Sequence, residues 1–78
     1  MSKVIIYGKP NCPFCERAKS LCQAQNRSYE YQTVGVDITK EQLEEKVGRP
    51  IRTVPQIFIM EDGFAEYVGG FQELARRI

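Results

Sequence analysis

The sequence contains no histidine, and it carries only three cysteines among its 78 residues. Without histidine, the chain lacks the base that activates the nucleophile of a Cys-His hydrolase or transferase. A structural zinc site needs four ligands, and three cysteines with no histidine fall short of a Cys and His set. We therefore expect no metal site and no base-assisted cysteine catalysis.

The chain also lacks a charge excess and a long apolar run. Eleven basic and ten acidic residues leave a net charge of +1, which gives no support for binding nucleic acid or membranes. No apolar run approaches the roughly 18 residues that span a bilayer. The apolar run at residues 4–7 is too short for a signal peptide, and an odd number of cysteines does not suit a fully paired disulfide framework. We expect a cytoplasmic protein, where a disulfide is usually transient and catalytic.

Hydrophobic patterning predicts seven elements in one domain covering residues 1–78. Strands are expected at residues 3–7, 28–36, 57–60 and 64–68, the first and third of them buried, and helices at residues 12–25, 39–48 and 71–78. The predicted inward-facing helix residues are Phe14, Ala18, Leu21, Cys22, Leu43, Val47, Phe71, Leu74, Ala75 and Ile78. The order β-α-β-α-β-β-α predicts an α/β fold with a mixed four-stranded sheet flanked by helices.

Local signals support several element ends. Pro13 suits the first helical position, and residues 39–42 (Thr-Lys-Glu-Gln) match a capping box. Residues 62–63 (Asp-Gly) are typical of a hairpin turn. Glu44 is assigned to the solvated face of the second helix.

Cys12 and Cys15 form a Cys-x-x-Cys pair between the first predicted strand and the first helix, which is typical of a redox dithiol. An ordinary thiol, with a pKa of about 8.5, is mostly protonated at pH 7. At Cys12, unpaired amides and the helix dipole favour the thiolate, and Lys9 could add positive charge. Cys15, one turn inside the helix, suits the resolving role. Cys22 lies about 10 Å farther along the helix and is assigned to the core.

Three motifs together resemble a dithiol glutaredoxin over nearly the whole chain. They are Lys9 with the Cys-Pro-Phe-Cys motif, the run Thr-Val-Pro-Gln-Ile-Phe-Ile at residues 53–59, and a Gly-Gly pair before the last helix. The resemblance implies a thioredoxin-like fold with a cis Pro55 facing the dithiol. It also implies glutathione as co-substrate and no tightly bound cofactor.

The resemblance further implies a glutathione site. Val54 would offer its backbone N–H and C=O groups to the cysteinyl part, while Lys9 and Arg52 would hold the glycine carboxylate. The γ-glutamyl end would meet Phe71 and Gln72. The implied set is Lys9, Phe14, Arg52, Thr53, Val54, Pro55, Gly69, Gly70, Phe71 and Gln72.

The residues themselves leave plainer alternatives open. Lys9 and Arg52 could be solvated loop charges, and Phe71 could be a core residue. The chain also departs from the family's pattern in two places. Phe14 stands where many members have Tyr, which removes a hydroxyl near the sulfurs. Gln72 stands where an acidic or hydroxyl residue is common, which weakens the contact to the γ-glutamyl ammonium.

The resemblance implies a glutathione-dependent oxidoreductase. The sequence is silent on the oligomeric state, and a monomer is the default expectation. Its partners would be glutathione and disulfide-containing or glutathionylated proteins, with ribonucleotide reductase as a family-level candidate. One alternative is a [2Fe–2S] cluster held between two copies by Cys12 and glutathione; Pro13 and Cys15 disfavour it, since such members usually have one active-site cysteine followed by Gly-Phe-Ser. Another is a related protein reduced by thioredoxin reductase.

Overall fold

The structure, a computed structural model, describes residues 2–78 and is built on one mixed sheet of four strands in the order β2-β1-β3-β4. The elements are β1 (Ser2–Gly8), α1 (Pro13–Ala24), β2 (Tyr29–Thr33), α2 (Lys40–Val47), β3 (Gln56–Glu61), β4 (Phe64–Gly69) and α3 (Phe71–Arg77). Their order confirms the predicted α/β class. None of these helices is long and apolar enough to cross a membrane.

Strand β1 lies inside the sheet and determines its mixed character. It pairs in parallel with β2, and in antiparallel fashion with β3, which continues into β4. The β3–β4 turn has left-handed backbone at Asp62 (φ 52°) and Gly63 (φ 85°), as the Asp-Gly signal predicted. At its other side in the sequence, β1 ends at Gly8, just before the Cys-x-x-Cys segment.

The second strand is shorter than predicted, because it ends at Thr33 and not at Val36. The Asp37 carboxylate accepts from the Thr33 N–H at 2.8 Å, and the Asp37 N–H donates to the Thr33 carbonyl at 2.8 Å. These bonds fold the chain back on itself. Val36 is left 80% exposed in the turn.

Alternate residues of β1 face two separate cores. Val4 and Ile6 belong to the core under α1 and α3, whose other buried members are Ala18, Cys22, Ile57, Ile59 and Leu74. Ile5 and Tyr7 belong to the core under α2, together with Ile38, Leu43 and Phe58. Because both faces of β1 are covered, the strand appears in the sequence as a continuous apolar run.

The helix ends follow the local signals. Pro13 lies in the first turn of α1, where the missing N–H costs no hydrogen bond. The capping box of α2 is present: the Gln42 N–H donates to Thr39 Oγ1 at 3.0 Å and the Thr39 N–H to Gln42 Oε1 at 2.9 Å. Gly48 ends α2 in the left-handed conformation, with φ 89°.

Three residues predicted to be buried are exposed. Phe14 lies in the first turn of α1 and is 46% exposed, because its ring extends past the core to contact Phe71. Met60, near the end of β3, is 39% exposed beside an open depression. Ala75 is exposed because Leu74 and Ile78 already make the core contact of the short helix α3. Spacing alone therefore predicts more buried residues than these elements bury against the core.

Glu44 also departs from the prediction of a purely solvated role. Its carboxylate accepts from the Ile51 N–H at 2.8 Å, and its side chain is half-buried. This bond ties α2 to the segment that precedes β3. That segment, residues 51–55, contains neither helix nor strand.

We expect Leu43→Ala to destabilise the protein by about 2–5 kcal/mol, the usual cost of removing a fully buried leucine side chain. Leu43 is the fully buried residue through which α2 packs on the sheet. Urea unfolding would measure the loss, with Val36→Ala as the matched control at an exposed site, expected to change stability by less than about 0.5 kcal/mol. Equal losses in the two variants would contradict this packing.

Candidate active site at the dithiol

Cys12 and Cys15 lie where β1 gives way to α1, and they are joined as a disulfide with their Cα atoms 5.2 Å apart. Cys12 is the N-cap residue of α1 and is half-buried, whereas Cys15 is fully buried in the first turn. The Cys15 N–H donates to Cys12 Sγ at 3.2 Å. Cys12, the less buried of the two residues, is therefore the one whose sulfur the helix start favours as an anion.

The space beneath Cys15 depends on Gly8, the last residue of β1. A Cβ on residue 8 would lie 2.8 Å from Cys15 Sγ and 2.8 Å from Tyr31 Cζ. Real Cβ atoms essentially never make contacts this short. Only glycine fits there without a shift of its neighbours.

Tyr31 of β2 forms the other side of this space, which the sequence pattern did not indicate. Its hydroxyl donates to the Lys9 carbonyl at 3.2 Å, and Lys19 Nζ lies 4.9 Å from its ring centroid. Burial raises the pKa of the Tyr31 phenol, and the negative charge of Glu16 raises it further. The hydroxyl therefore stays protonated and keeps donating to the loop that leads into the dithiol.

The segment at residues 51–55, the Pro55 loop, lies against the sulfur of Cys12. The Val54–Pro55 peptide bond is cis, which confirms that prediction. The Val54 carbonyl oxygen is 3.8 Å from Cys12 Sγ, across 42 residues of sequence. Two motifs that are far apart in the sequence thus form one site.

A cavity of about 300 Å³ opens on one side of the Pro55 loop. Its lining is Lys9, Val34, Lys40, Leu43, Ile51, Arg52, Thr53 and Val54. Lys9 and Arg52, predicted as partners of a carboxylate, line it together. Lys40 adds a third cation. Sequence reasoning missed it because it assigned Lys40 only to the capping box of the second helix. None of the ion pairs formed within residues 2–78 uses Lys9, Lys40 or Arg52.

A second cavity, of about 270 Å³, opens on the other side of the loop. It is lined by Phe14, Thr53, Val54, Pro55, Gly70, Phe71, Gln72 and Glu73. The rings of Phe14 and Phe71 meet here with centroids 6.0 Å apart. The ring of Phe71 also packs against the core under α1 and α3, so the two interpretations of this residue are compatible.

Glu73 was missed, and its spacing could have revealed it. Its carboxylate accepts from the Gly70 N–H at 2.8 Å, which is the cap expected of a glutamate three residues into a helix. Gly69 lines a neighbouring groove and not this cavity. Its φ of 126° would strain a larger residue at that position, and the Glu73 side chain would have to shift to admit one.

Cys22 does not join the site. It is fully buried in the core and unpaired, and burial raises the pKa of its thiol against the smaller opposing effect of Arg27. Across residues 2–78, no three His, Cys, Asp or Glu side chains are placed to hold a metal ion.

The glutaredoxin family model matches residues 4–64, which contain the dithiol and the Pro55 loop. The chain belongs to the glutaredoxin family. It is 37% identical over 79 residues to glutaredoxin 1 of Escherichia coli K12, covering 94% of this chain and 88% of that protein. It is 40% identical over 75 residues to glutaredoxin 3 of the same organism, covering 95% of this chain and 83% of that protein.

Solved structures agree with the thioredoxin-like fold of this family member. Reduced Escherichia coli glutaredoxin superposes with a TM-score of 0.77 at 36% identity, covering 96% of this chain and 91% of that one. A buckwheat glutaredoxin solved with glutathione has the same fold, with a TM-score of 0.64 at 23% identity. The predicted family and fold are confirmed. The chain is a thiol–disulfide oxidoreductase, with Cys12 and Cys15 as its dithiol.

We expect Gly8→Ala to destabilise the protein by about 1–3 kcal/mol, because a methyl group there overpacks the space beneath Cys15. The same substitution in a Cys15→Ala background should cost less, since one of the three short contacts is then removed and only those to the Tyr31 hydroxyl and Cζ remain. Denaturant unfolding under reducing conditions would measure both penalties. An equal penalty in the two backgrounds would show that Cys15 does not limit the space.

Proposed function

We propose that this protein reduces glutathione mixed disulfides and protein disulfides, with glutathione as its co-substrate. The observation that carries the proposal is the position of the Cys12 sulfur. It accepts from the Cys15 N–H at the start of α1 and lies 3.8 Å from the Val54 carbonyl oxygen. A cationic cavity lies on one side of it and a cavity bearing a carboxylate on the other. Such a site suits a peptide that has a carboxylate at one end and an ammonium group at the other.

For a glutathionylated substrate, the Cys12 thiolate attacks the glutathione sulfur. A new S–S bond joins Cys12 to glutathione, and the substrate leaves as a thiolate that takes up a proton. A second glutathione thiolate then attacks the sulfur of the bound glutathione. Oxidised glutathione leaves, and the Cys12 thiolate is restored.

For a protein disulfide, both cysteines take part. Cys12 attacks one sulfur of the substrate, forming a mixed disulfide and releasing the other sulfur as a thiolate. Cys15, deprotonated, then attacks Cys12 Sγ and releases the second substrate thiolate. The product is the Cys12–Cys15 disulfide present in the structure, and two glutathione molecules reduce it back to the dithiol.

The charges around the loop support one orientation of glutathione. Its glycine carboxylate would lie among Lys9, Lys40 and Arg52, and its cysteinyl backbone would pair with Val54 as an added strand does. Its γ-glutamyl end would lie beside Gln72 and Glu73. The Glu73 carboxylate would face the ammonium group, the contact that Gln72 cannot supply with a charge.

The proposal extends to partners and compartment. The second substrates would be disulfide-containing or glutathionylated proteins, with ribonucleotide reductase as a family-level candidate. The protein would act as a monomer. A reducing compartment such as the cytoplasm suits a chain whose remaining cysteine, Cys22, is unpaired.

We expect Cys12→Ser to abolish glutathione-dependent reduction of both substrate types, because it removes the attacking sulfur. Cys15→Ser should abolish reduction of protein disulfides and spare deglutathionylation, which needs only Cys12. Coupled turnover with glutathione and glutathione reductase would measure both activities, with thioredoxin reductase as the comparison reductant. Full activity of Cys12→Ser, or faster turnover with thioredoxin reductase, would overturn the proposal.

We expect Lys9→Gln and Arg52→Gln each to raise the KM for a glutathionylated peptide by about two- to fivefold at low salt, as loss of an exposed ion pair does. Added salt should shrink the difference from wild type by screening the charges. Arg76→Gln, at an exposed cation in the last turn of α3, is the matched control and should leave KM unchanged. If all three variants behaved alike, the carboxylate would bind elsewhere.

A further inference from the structure

Gln56, the first residue of β3, is a buried polar side chain with both ends of its amide in use. It is 7% exposed. Its Nε2 donates to the Thr53 carbonyl at 2.8 Å, and its Oε1 accepts a short hydrogen bond from the Tyr67 hydroxyl. Because the Thr53 carbonyl can only accept, it requires the amide nitrogen, and the amide oxygen is left to accept from the Tyr67 hydroxyl.

The sheet register brings Tyr67 to this position. Gln56 and Phe58 lie two residues apart on one face of β3, and Phe58 pairs with Tyr67 of β4. The Tyr67 ring packs on the Phe58 ring with centroids 5.3 Å apart. The Arg49 guanidinium lies 5.6 Å from the centroid of the Tyr67 ring. The hydroxyl is thus held by a ring packed on two neighbours.

Residues 51–55 need such support, since no strand ladder or helix holds them. Two side-chain bonds anchor their backbone. The Glu44 carboxylate accepts from the Ile51 N–H at 2.8 Å, and Gln56 donates to the Thr53 carbonyl. Val54, whose carbonyl lies 3.8 Å from Cys12 Sγ, is the next residue after this second anchor.

We propose that Gln56 and Tyr67 are positioning residues that hold the Thr53–Val54 backbone ready to pair with a bound cysteinyl group. The inference rests on the proposed function, because Val54 would be the backbone partner of glutathione. A loop that is fixed before binding loses less conformational entropy when the ligand arrives. Loosening it therefore weakens binding of the mixed disulfide and leaves the thiol exchange step itself unchanged.

Gln56→Glu tests whether the side chain must donate a hydrogen bond to the Thr53 carbonyl. At pH 8 the carboxylate can still accept from Tyr67, but it has no hydrogen to donate to the Thr53 carbonyl. We expect KM for a glutathionylated peptide to rise about five- to tenfold, about what the loss of one hydrogen bond costs, with kcat within about twofold of wild type. Toward pH 5 the buried carboxyl group becomes protonated and can donate again. The ratio of its KM to that of wild type at the same pH should therefore fall.

Tyr67→Phe tests the second half of the network. It should raise KM about two- to fivefold in the wild-type background, because a free amide can turn away from Thr53. In a Gln56→Leu background it should add nothing, since no amide remains to be oriented. Tyr29→Phe is the control: the Tyr29 hydroxyl also bonds to a glutamine, accepting from Gln23 at 2.8 Å, but at the opposite edge of the sheet.

The outcomes separate the two proposals. If wild type does not turn over the glutathionylated peptide, the proposed function fails. If wild type is active and Gln56→Glu has the KM of wild type, or an elevated KM ratio that does not change with pH, the positioning role is overturned. A fall in kcat at unchanged KM, or a further loss from Tyr67→Phe in the Gln56→Leu background, would also overturn it. Tyr67→Phe keeps the ring and its packing, so it remains informative if Gln56→Leu does not fold.

Discussion

The hydrogen bond from the Cys15 N–H to the sulfur of Cys12 links the start of a helix to the chemistry of the site. A helix start leaves backbone N–H groups without partners, and here one of them is satisfied by the sulfur at 3.2 Å. A negative charge on that sulfur strengthens the bond, because charge-assisted hydrogen bonds are roughly twice as strong as neutral ones. One local contact therefore caps α1, orients Cys12 and favours the form of the thiol that attacks a disulfide.

The other parts of the site surround that sulfur and come from separate elements of the fold. Gly8 and Tyr31 shape the space beneath Cys15. The Pro55 loop brings the Val54 carbonyl to Cys12, and Gln56 and Glu44 anchor that loop from opposite ends. Each contact alone is modest. Together they fix a sulfur, a backbone edge and two charged cavities in one arrangement.

The distribution of charge around the loop gives the site a direction. Lys9, Lys40 and Arg52 line one cavity without an acidic partner among the ion pairs of residues 2–78. Glu73 lines the cavity on the other side. A ligand with a carboxylate at one end and an ammonium group at the other has a single favourable orientation between them.

Predictions from the sequence succeeded where the deciding contacts join residues that are close together in the sequence. The capping box at Thr39, the turn at Asp62 and the helix start at Pro13 each depend on neighbours within about four residues. Predictions failed where a distant element decides the outcome. Phe14 fits an apolar stripe but ends beside Phe71, and Glu44 looks solvated but bonds to Ile51. The place of Tyr31 beside Cys15 was not predicted, because it depends on which strand pairs with β1.

The sequence by itself determined the element order, the family and the identity of the two reactive sulfurs, because these depend on periodicity, local caps and adjacent motifs. The residues expected at a glutathione site were named from a resemblance, and the fold brings most of them to the two cavities. Only the tertiary structure decided that Val54 meets Cys12 across 42 residues and that Tyr67 bonds to the Gln56 side chain. Those contacts form when β1, β3 and β4 pair in one register, and register is a property of the assembled sheet and not of any single segment.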